Sequence, residues 1–132
     1  MNTRPNFYYK LIRNFTVKKL FIEFWCTYWK YKNTSKAIIF GEDSKTVYLY
    51  VHGQGGSKED AAFFAEIATK NNLQVLSIDL PGYGERKDEI ADFDPWHVVP
   101  ELRKVMEYIN TRWEKVSLFG NSIGAWFSML TY

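Results

Sequence analysis

The feature that most constrains this chain is the stretch 116–124, Val-Ser-Leu-Phe-Gly-Asn-Ser-Ile-Gly. It reads as a short apolar strand that runs into Gly-x-Ser-x-Gly and then directly into an apolar helical segment. A serine on such a sharp turn adopts a strained backbone, and the small residues Gly120 and Gly124 let the turn close around it. We therefore expect the hydroxyl of Ser122 to stand clear of the sheet, beside the free N–H groups of the new helix.

Strands and helices alternate along residues 45–132. Three strands are predicted, at 47–51, 73–78 and 116–119. The first is continuously apolar, which is typical of a strand buried on both faces, and the second is predicted to be buried as well. The third is a short apolar strand. This alternation predicts an α/β protein with a mainly parallel sheet and flanking helices. A loop follows each strand, at 52–56, 79–86 and 120–124. These loops therefore fall at the carboxyl edge of the sheet, where proteins of this class place their chemistry.

Two amphipathic helices are predicted between these strands. The first begins at a capping-box pair, Ser57 and Asp60. Its apolar stripe consists of Ala61, Phe64, Ile67 and Ala68. The second begins after an N-cap at Asp94, and its apolar positions are Leu102, Val105, Met106, Ile109 and Trp113. Pro100 predicts either a kink in this helix or a start nearer Val98.

The N-terminal third, residues 1–44, is predicted to supply edge strands to the same single domain, residues 1–132. Apolar residues occupy the even positions from 20 to 28, which is strand alternation, and 37–40 is a second short apolar run. A basic, aromatic segment that binds a membrane surface is the alternative for the first residues, although their period of two does not fit an amphipathic helix.

The loops carry motifs by which the chain resembles the α/β-hydrolase superfamily, in particular its carboxylesterase and serine-aminopeptidase-like members. The motifs are His52-Gly53-Gln54-Gly55, Asp79-Leu80-Pro81-Gly82-Tyr83-Gly84 and Gly120-Asn121-Ser122-Ile123-Gly124. Each is weak alone, but their order and spacing across three strand–helix units match the family. The resemblance covers about residues 45–132.

The resemblance implies that Ser122 is a nucleophile that attacks a small-molecule acyl substrate and forms an acyl-enzyme. It implies that the backbone N–H groups of Ile123 and Gln54 form the oxyanion hole. The supporting loop residues would be His52, Gly53, Gly55, Gly120 and Gly124, with His52 shaping its loop and not acting as the base. It implies no cofactor and no metal. The substrate itself and the oligomeric state stay open.

Simpler interpretations compete with these assignments. A serine after a strand is often only a helix N-cap, and Asp79 could merely cap a strand end. The segment from Gly53 to Asp79 also resembles a dinucleotide-binding unit, but its third glycine should stand at 58, where the chain has Lys58. His97, in the first turn of a helix, is predicted to be a surface residue and not the base.

Composition narrows the class of protein further. The net charge of +2 is too small to indicate a nucleic-acid partner. The single cysteine, Cys26, rules out an internal disulfide and a thiolate metal cluster, and two histidines do not favour a zinc site; both facts suit a cytoplasmic protein. The longest apolar run, 20–29, is shorter than a membrane helix requires, so stable membrane insertion is not expected.

The family places an acidic residue and a histidine after the serine, and neither type occurs among the eight residues that follow Gly124. The resemblance is therefore to the N-terminal half of the fold, ending just after the nucleophile turn. Two hypotheses follow. The chain is either the first part of a serine hydrolase or a non-catalytic remnant or binding module of the same fold.

Overall fold

The structure, a computed structural model, describes residues 36–132 and the backbone of residues 17–19. Five strands occur in this part of the chain: β1 (Val17–Lys19), β2 (Ala37–Phe40), β3 (Thr46–Val51), β4 (Gln74–Ile78) and β5 (Lys115–Gly120). Three α-helices alternate with them: α1 (Ala62–Lys70), α2 (Pro95–Arg112) and α3 (Ile123–Thr131). Two 3₁₀ helices, Lys58–Ala61 and Gly84–Asp92, precede α1 and α2. The strand predicted at 20–28 lies outside the described residues.

The strands form one mixed sheet in the order β1-β2-β4-β3-β5. The three strands of the strand–helix units are parallel, with Leu49 of β3 opposite both Leu76 of β4 and Leu118 of β5. The two N-terminal strands are antiparallel to their neighbours. The predicted α/β class is confirmed. Because β3 is central, the loop after it lies next to the loops after β4 and β5.

Helices cover both faces of the sheet, and each face has its own core. On one face, residues of β3 and β4 pack against α2 and α3, in a cluster that includes Leu49, Val51, Leu76, Ile78, Leu102, Val105, Ile109 and Phe127. On the other face, the cluster includes Phe40, Tyr50, Val75, Ala61, Ala62, Ala65 and Ala68. β3 and β4 are largely buried, as predicted, whereas no residue of β5 is fully buried.

The structure confirms the predicted N-cap and apolar face of α2 and corrects the predicted apolar stripe of α1. Asp94 caps α2 by accepting from the N–H of His97 at 2.9 Å. The helix begins at Pro95 and continues through Pro100, so a start nearer Val98 is wrong. In α1 the buried positions are alanines, whereas Ile67 of the predicted stripe is 61% exposed. Small alanines let α1 approach the sheet closely, which turns the larger Ile67 outward.

A buried ion pair joins the start of the first 3₁₀ helix to the end of β4. The backbone N–H and the Nζ of Lys58 each donate to the carboxylate of Asp79 at 2.8 Å, and neither side chain is exposed by more than 4%. Although burial acts to lower it, Asp79 and then Glu59 hold the pKa of Lys58 above its ordinary value. This pair occupies the positions that a dinucleotide site would need, so that alternative is not supported.

We predict that Lys58→Met destabilises the protein by about 3–5 kcal/mol, because it leaves the buried carboxylate of Asp79 without its cation. The matched control is Lys45→Met, since Lys45 forms a 2.9 Å ion pair with Glu114 that is largely exposed. Removing an exposed pair of this kind changes stability by at most about 1 kcal/mol. Chemical denaturation of both variants measures the difference, and equal stabilities would contradict the structural role of the buried pair.

Candidate active site

Ser122 lies in the turn between β5 and α3. Its backbone has φ 53° and ψ −123°, a conformation that residues with a side chain rarely adopt. The residue is exposed, and its hydroxyl makes no hydrogen bond to any described residue, so it does not cap α3. The interpretation of this serine as a mere N-cap is therefore wrong. The chain instead maintains a strained serine with an unused hydroxyl.

Two glycines make this turn possible because the backbone segments around them touch. A Cβ on Gly124 would collide with the carbonyl oxygens of Val51 and His52, and one on Gly120 would collide with the backbone of Ala125. The N–H of Asn121 donates to the carbonyl of Val51 at 3.0 Å. The turn is thus pressed onto the end of β3. The requirement for small residues at 120 and 124, which the sequence pattern predicted, follows from these close backbone contacts.

His52 organises the loop that follows β3. Its Nε2 accepts from the backbone N–H of Leu80 at 2.9 Å, which places the proton on Nδ1. Nδ1 then donates to the carbonyl of Gly53 at 2.7 Å. Burial lowers the pKa of His52, although the Gly53 carbonyl and the charge of Asp79 act in the opposite direction. Both ring nitrogens are therefore occupied in the neutral imidazole, as a loop-shaping residue requires.

The loop 53–56 lies directly against the turn that carries Ser122. A Cβ built on Gly53 would be 3.2 Å from the Cβ of Ser122 and 3.1 Å from the carbonyl of Asn121. The carbonyl of Gly53 also accepts from the N–H of Gly56 at 3.1 Å, and Gly55 has φ 77°. Gln54 is exposed at the top of this turn. The structure thus brings the two predicted loops together.

The backbone N–H groups of Ile123 and Gln54 donate to no other described residue. Ile123 is the first residue of α3, where helix geometry leaves the N–H groups without partners inside the helix. The peptide between Gly53 and Gln54 has its carbonyl bound by His52, and in a trans peptide the N–H points the opposite way. Two unused donors therefore flank the serine turn.

The third loop is fixed by a buried charge network that the sequence analysis missed. Arg86 is 3% exposed, and its guanidinium contacts Glu89 at 2.7 Å, both oxygens of Glu101 and the carbonyl of Asp79 at 3.1 Å. Although burial acts to lower it, hydrogen bonds to Glu89 and Glu101 raise the pKa of Arg86. Glu101 is a buried residue of α2. A charged residue on an otherwise apolar helix face was therefore the only feature of the sequence that could have indicated this network.

Aromatic rings pack against the loop of His52. Tyr83 contacts the ring of His52 edge-on with centroids 5.7 Å apart, and Phe93 contacts Tyr83 at 4.9 Å. Phe93 also packs on Phe127 of α3 at 5.5 Å. The loops after β3 and β4 and the helix after β5 are therefore one packed unit.

The chain's other imidazole lies at the start of α2. His97 Nδ1 contacts the carboxylate of Asp94 at 2.8 Å, and both side chains are at least partly exposed. Its hydrogen bond to Asp94 raises the pKa of His97 above its ordinary value. No hydrogen bond links His97 to Ser122 within the described residues, so the structure does not bring this histidine to Ser122.

In residues 36–132, no group of three or more His, Cys, Asp or Glu side chains is placed to hold a metal ion. None of the helices in the described part of the chain combines the length and the apolar character needed to cross a bilayer.

Comparisons with known proteins identify the fold of the chain. No protein-family model and no curated protein sequence matches the chain. Solved structures do match: an epoxide hydrolase mutant from Vigna radiata is 18% identical with a TM-score of 0.59, and the match covers 72% of this chain and 30% of that one. TT1662 from Thermus thermophilus is 24% identical with a TM-score of 0.60, covering 71% of this chain and 45% of that one.

A third match is the type II thioesterase BorB from the borrelidin biosynthetic cluster, which is 22% identical with a TM-score of 0.58. It covers 69% of this chain and 36% of BorB. The chain therefore has the α/β-hydrolase fold and spans less than half the length of these three proteins. At these identities the likeness establishes the fold, and the chemistry must be argued from the site.

We predict that Gly124→Ala destabilises the protein by at least about 3 kcal/mol, because its Cβ has no space between two carbonyl oxygens. Gly55→Ala is the matched control. Its Cβ meets nothing within 4 Å, so only the positive φ opposes it, at about 1 kcal/mol. Thermal melts of both variants test the close contact. If Gly124→Ala melts no lower than Gly55→Ala, the turn is not pressed onto β3.

Proposed function

We propose that Ser122 is the nucleophile of a hydrolase that acts on a carboxylic ester, amide or thioester through an acyl-enzyme. One observation carries this proposal: an exposed serine is held at φ 53° between two glycines while its hydroxyl bonds to no described residue. Such strain persists only where the surrounding structure enforces it, and it is concentrated at functional sites. An unused hydroxyl on a strained turn suits attack on a carbonyl carbon.

The backbone N–H groups of Ile123 and Gln54 are proposed to stabilise the oxyanion that this attack creates. Both donors are unused, and both belong to segments that contact the serine turn. His52 supports this role because its Nδ1–H binds the carbonyl of Gly53. The N–H of Gln54 belongs to the same trans peptide and therefore points away from His52. Preorganised donors lower the barrier because they need no rearrangement as charge develops.

The nucleophile favours acyl transfer over epoxide opening, although epoxide hydrolases are among the structural matches. An alkoxide that opens an epoxide forms an ether, which water does not cleave under mild conditions, so the serine would not be regenerated. Attack on an ester or thioester forms an acyl-serine, which water hydrolyses to the acid and the free hydroxyl. The thioesterase match is compatible with this chemistry.

A non-catalytic binding role is the second candidate, because neither imidazole of this chain is placed as a base. Both nitrogens of His52 are occupied, and His97 is held by Asp94 on α2. Under the catalytic proposal, residues beyond this chain supply the base and its orienting acid. The chain would then contribute the nucleophile and the oxyanion hole.

An added base tests the proposal on the chain itself. We expect imidazole in solution to accelerate nitrophenolate release from p-nitrophenyl butyrate by the wild-type chain more than by Ser122→Ala, whose rate gives the background catalysis by imidazole. Gln54→Pro, which lacks the backbone N–H, should reduce the Ser122-dependent rate by about 10²–10³. Gln54→Ala keeps that N–H and should retain the rate.

Circular dichroism of each variant verifies that it is folded before the rates are compared. If folded wild-type protein and Ser122→Ala release nitrophenolate equally at every imidazole concentration, Ser122 is not a nucleophile and the binding role becomes the better account.

A further inference from the structure

A cavity of about 410 Å³ opens beside the nucleophile turn, on the face of the sheet covered by α1. One wall is the loop from Gly53 to Gly56, and another is Asn121, the residue before Ser122. Tyr50 and Phe63 contribute aromatic rings. Its volume falls within the range of small-molecule sites, about 300–1,000 Å³. A ligand in this cavity would lie directly against the loop 53–56, which contains the proposed oxyanion donor of Gln54.

Asp60 is the only charged residue among the described residues that line this cavity. Its Oδ2 accepts from the backbone N–H of Ser57 at 3.2 Å, and no described Lys, Arg or His lies within ion-pair distance of it. The nearest lysine in sequence, Lys58, is buried and directed to Asp79 and Glu59. The cavity therefore contains one negative charge that no described cation neutralises.

The surroundings of Asp60 keep its carboxylate at the cavity. A Cβ on Gly56 would collide with Oδ2, so the glycine gives the carboxylate its space. The capping bond to Ser57 uses one carboxylate oxygen and leaves the other for a ligand.

The exposed ring of Phe63 favours the same kind of ligand as the carboxylate, whereas the ring of Tyr50 is buried and stacked on Phe119. Phe63 is 59% exposed although it is apolar, and it stands one helical turn from Asp60 at the cavity. Ring faces attract cations, and quaternary ammonium groups are bound in proteins by aromatic residues. An anion would be repelled by Asp60, and a neutral apolar group would gain nothing from its charge.

We propose that this cavity binds an ammonium group and that Asp60 selects for it. The ligand class is a small molecule with an ammonium group a few bonds from its carbonyl, so that one end lies in the cavity and the other at Ser122. As a statement about the substrate, this rests on the proposed role of Ser122. The binding site itself does not depend on that role.

Choline and its neutral isostere 3,3-dimethylbutan-1-ol provide the test, with affinities measured by calorimetric or ligand-observed NMR titration. The two probes have the same shape and differ in charge. We expect choline to bind the wild-type chain about tenfold more tightly, the combined effect of a partly exposed ion pair and a cation–aromatic contact. Equal affinities, or no binding of choline, would overturn the proposal.

Asp60→Asn should abolish this preference, because the amide oxygen can still accept from Ser57 but carries no charge. Asp60→Glu, which keeps the charge, should retain part of the preference. The matched control is Glu66→Gln on α1, which removes a charge that does not line the cavity and should leave the ratio unchanged. A ratio that survives in Asp60→Asn, or that falls equally in Glu66→Gln, would contradict a selective role for Asp60.

Ser122→Ala separates this proposal from the proposed hydrolysis. We expect this variant to bind choline as the wild-type chain does, because Ser122 does not line the cavity. Choline selectivity without imidazole-dependent release of nitrophenolate would support the ammonium site and reject the nucleophile. Release without selectivity would do the opposite.

Discussion

The contact between the serine turn and the end of β3 is the constraint on which the rest of the site depends. Gly124 lies over the carbonyls of Val51 and His52, and Asn121 donates to the same carbonyl of Val51. These backbone contacts leave no space for side chains and force Ser122 into its strained conformation. They also fix the distance between the serine and the loop 53–56. The proposed nucleophile and the proposed oxyanion donors are therefore positioned by the same few backbone atoms.

Buried polar groups connect this contact to the loop after β4. His52 binds the Gly53 carbonyl with one nitrogen and the Leu80 N–H with the other, so one imidazole joins two loops. Asp79 binds Lys58, and Arg86 binds the Asp79 carbonyl. Burying any of these groups without a partner would cost free energy, and a neighbouring loop supplies that partner in each case. The loops of the site are thus held together by shared hydrogen bonds and ion pairs.

The sequence predicted those features that local patterns encode. The largely apolar segments 47–51, 73–78 and 116–119 identified β3, β4 and β5, Asp94 marked the start of α2, and the glycines at 120 and 124 located the turn. It could not predict the network around Arg86, because its partner Glu101 is distant in sequence and no local pattern links them. The stripe of α1 was misplaced at Ile67 because close packing against the sheet selected alanines over the larger side chain.

The most direct test of the account is to map the site at which a fluorophosphonate labels the chain when imidazole is added as the base that the chain does not place at Ser122. Peptide mass spectrometry would locate the adduct, and Ser117 on β5 provides an internal control because it is also exposed but lies in regular strand. The account predicts phosphonylation at Ser122 and not at Ser117, since only Ser122 lies beside unused backbone donors. Equal labelling of the two serines, or labelling that spares Ser122, would contradict it.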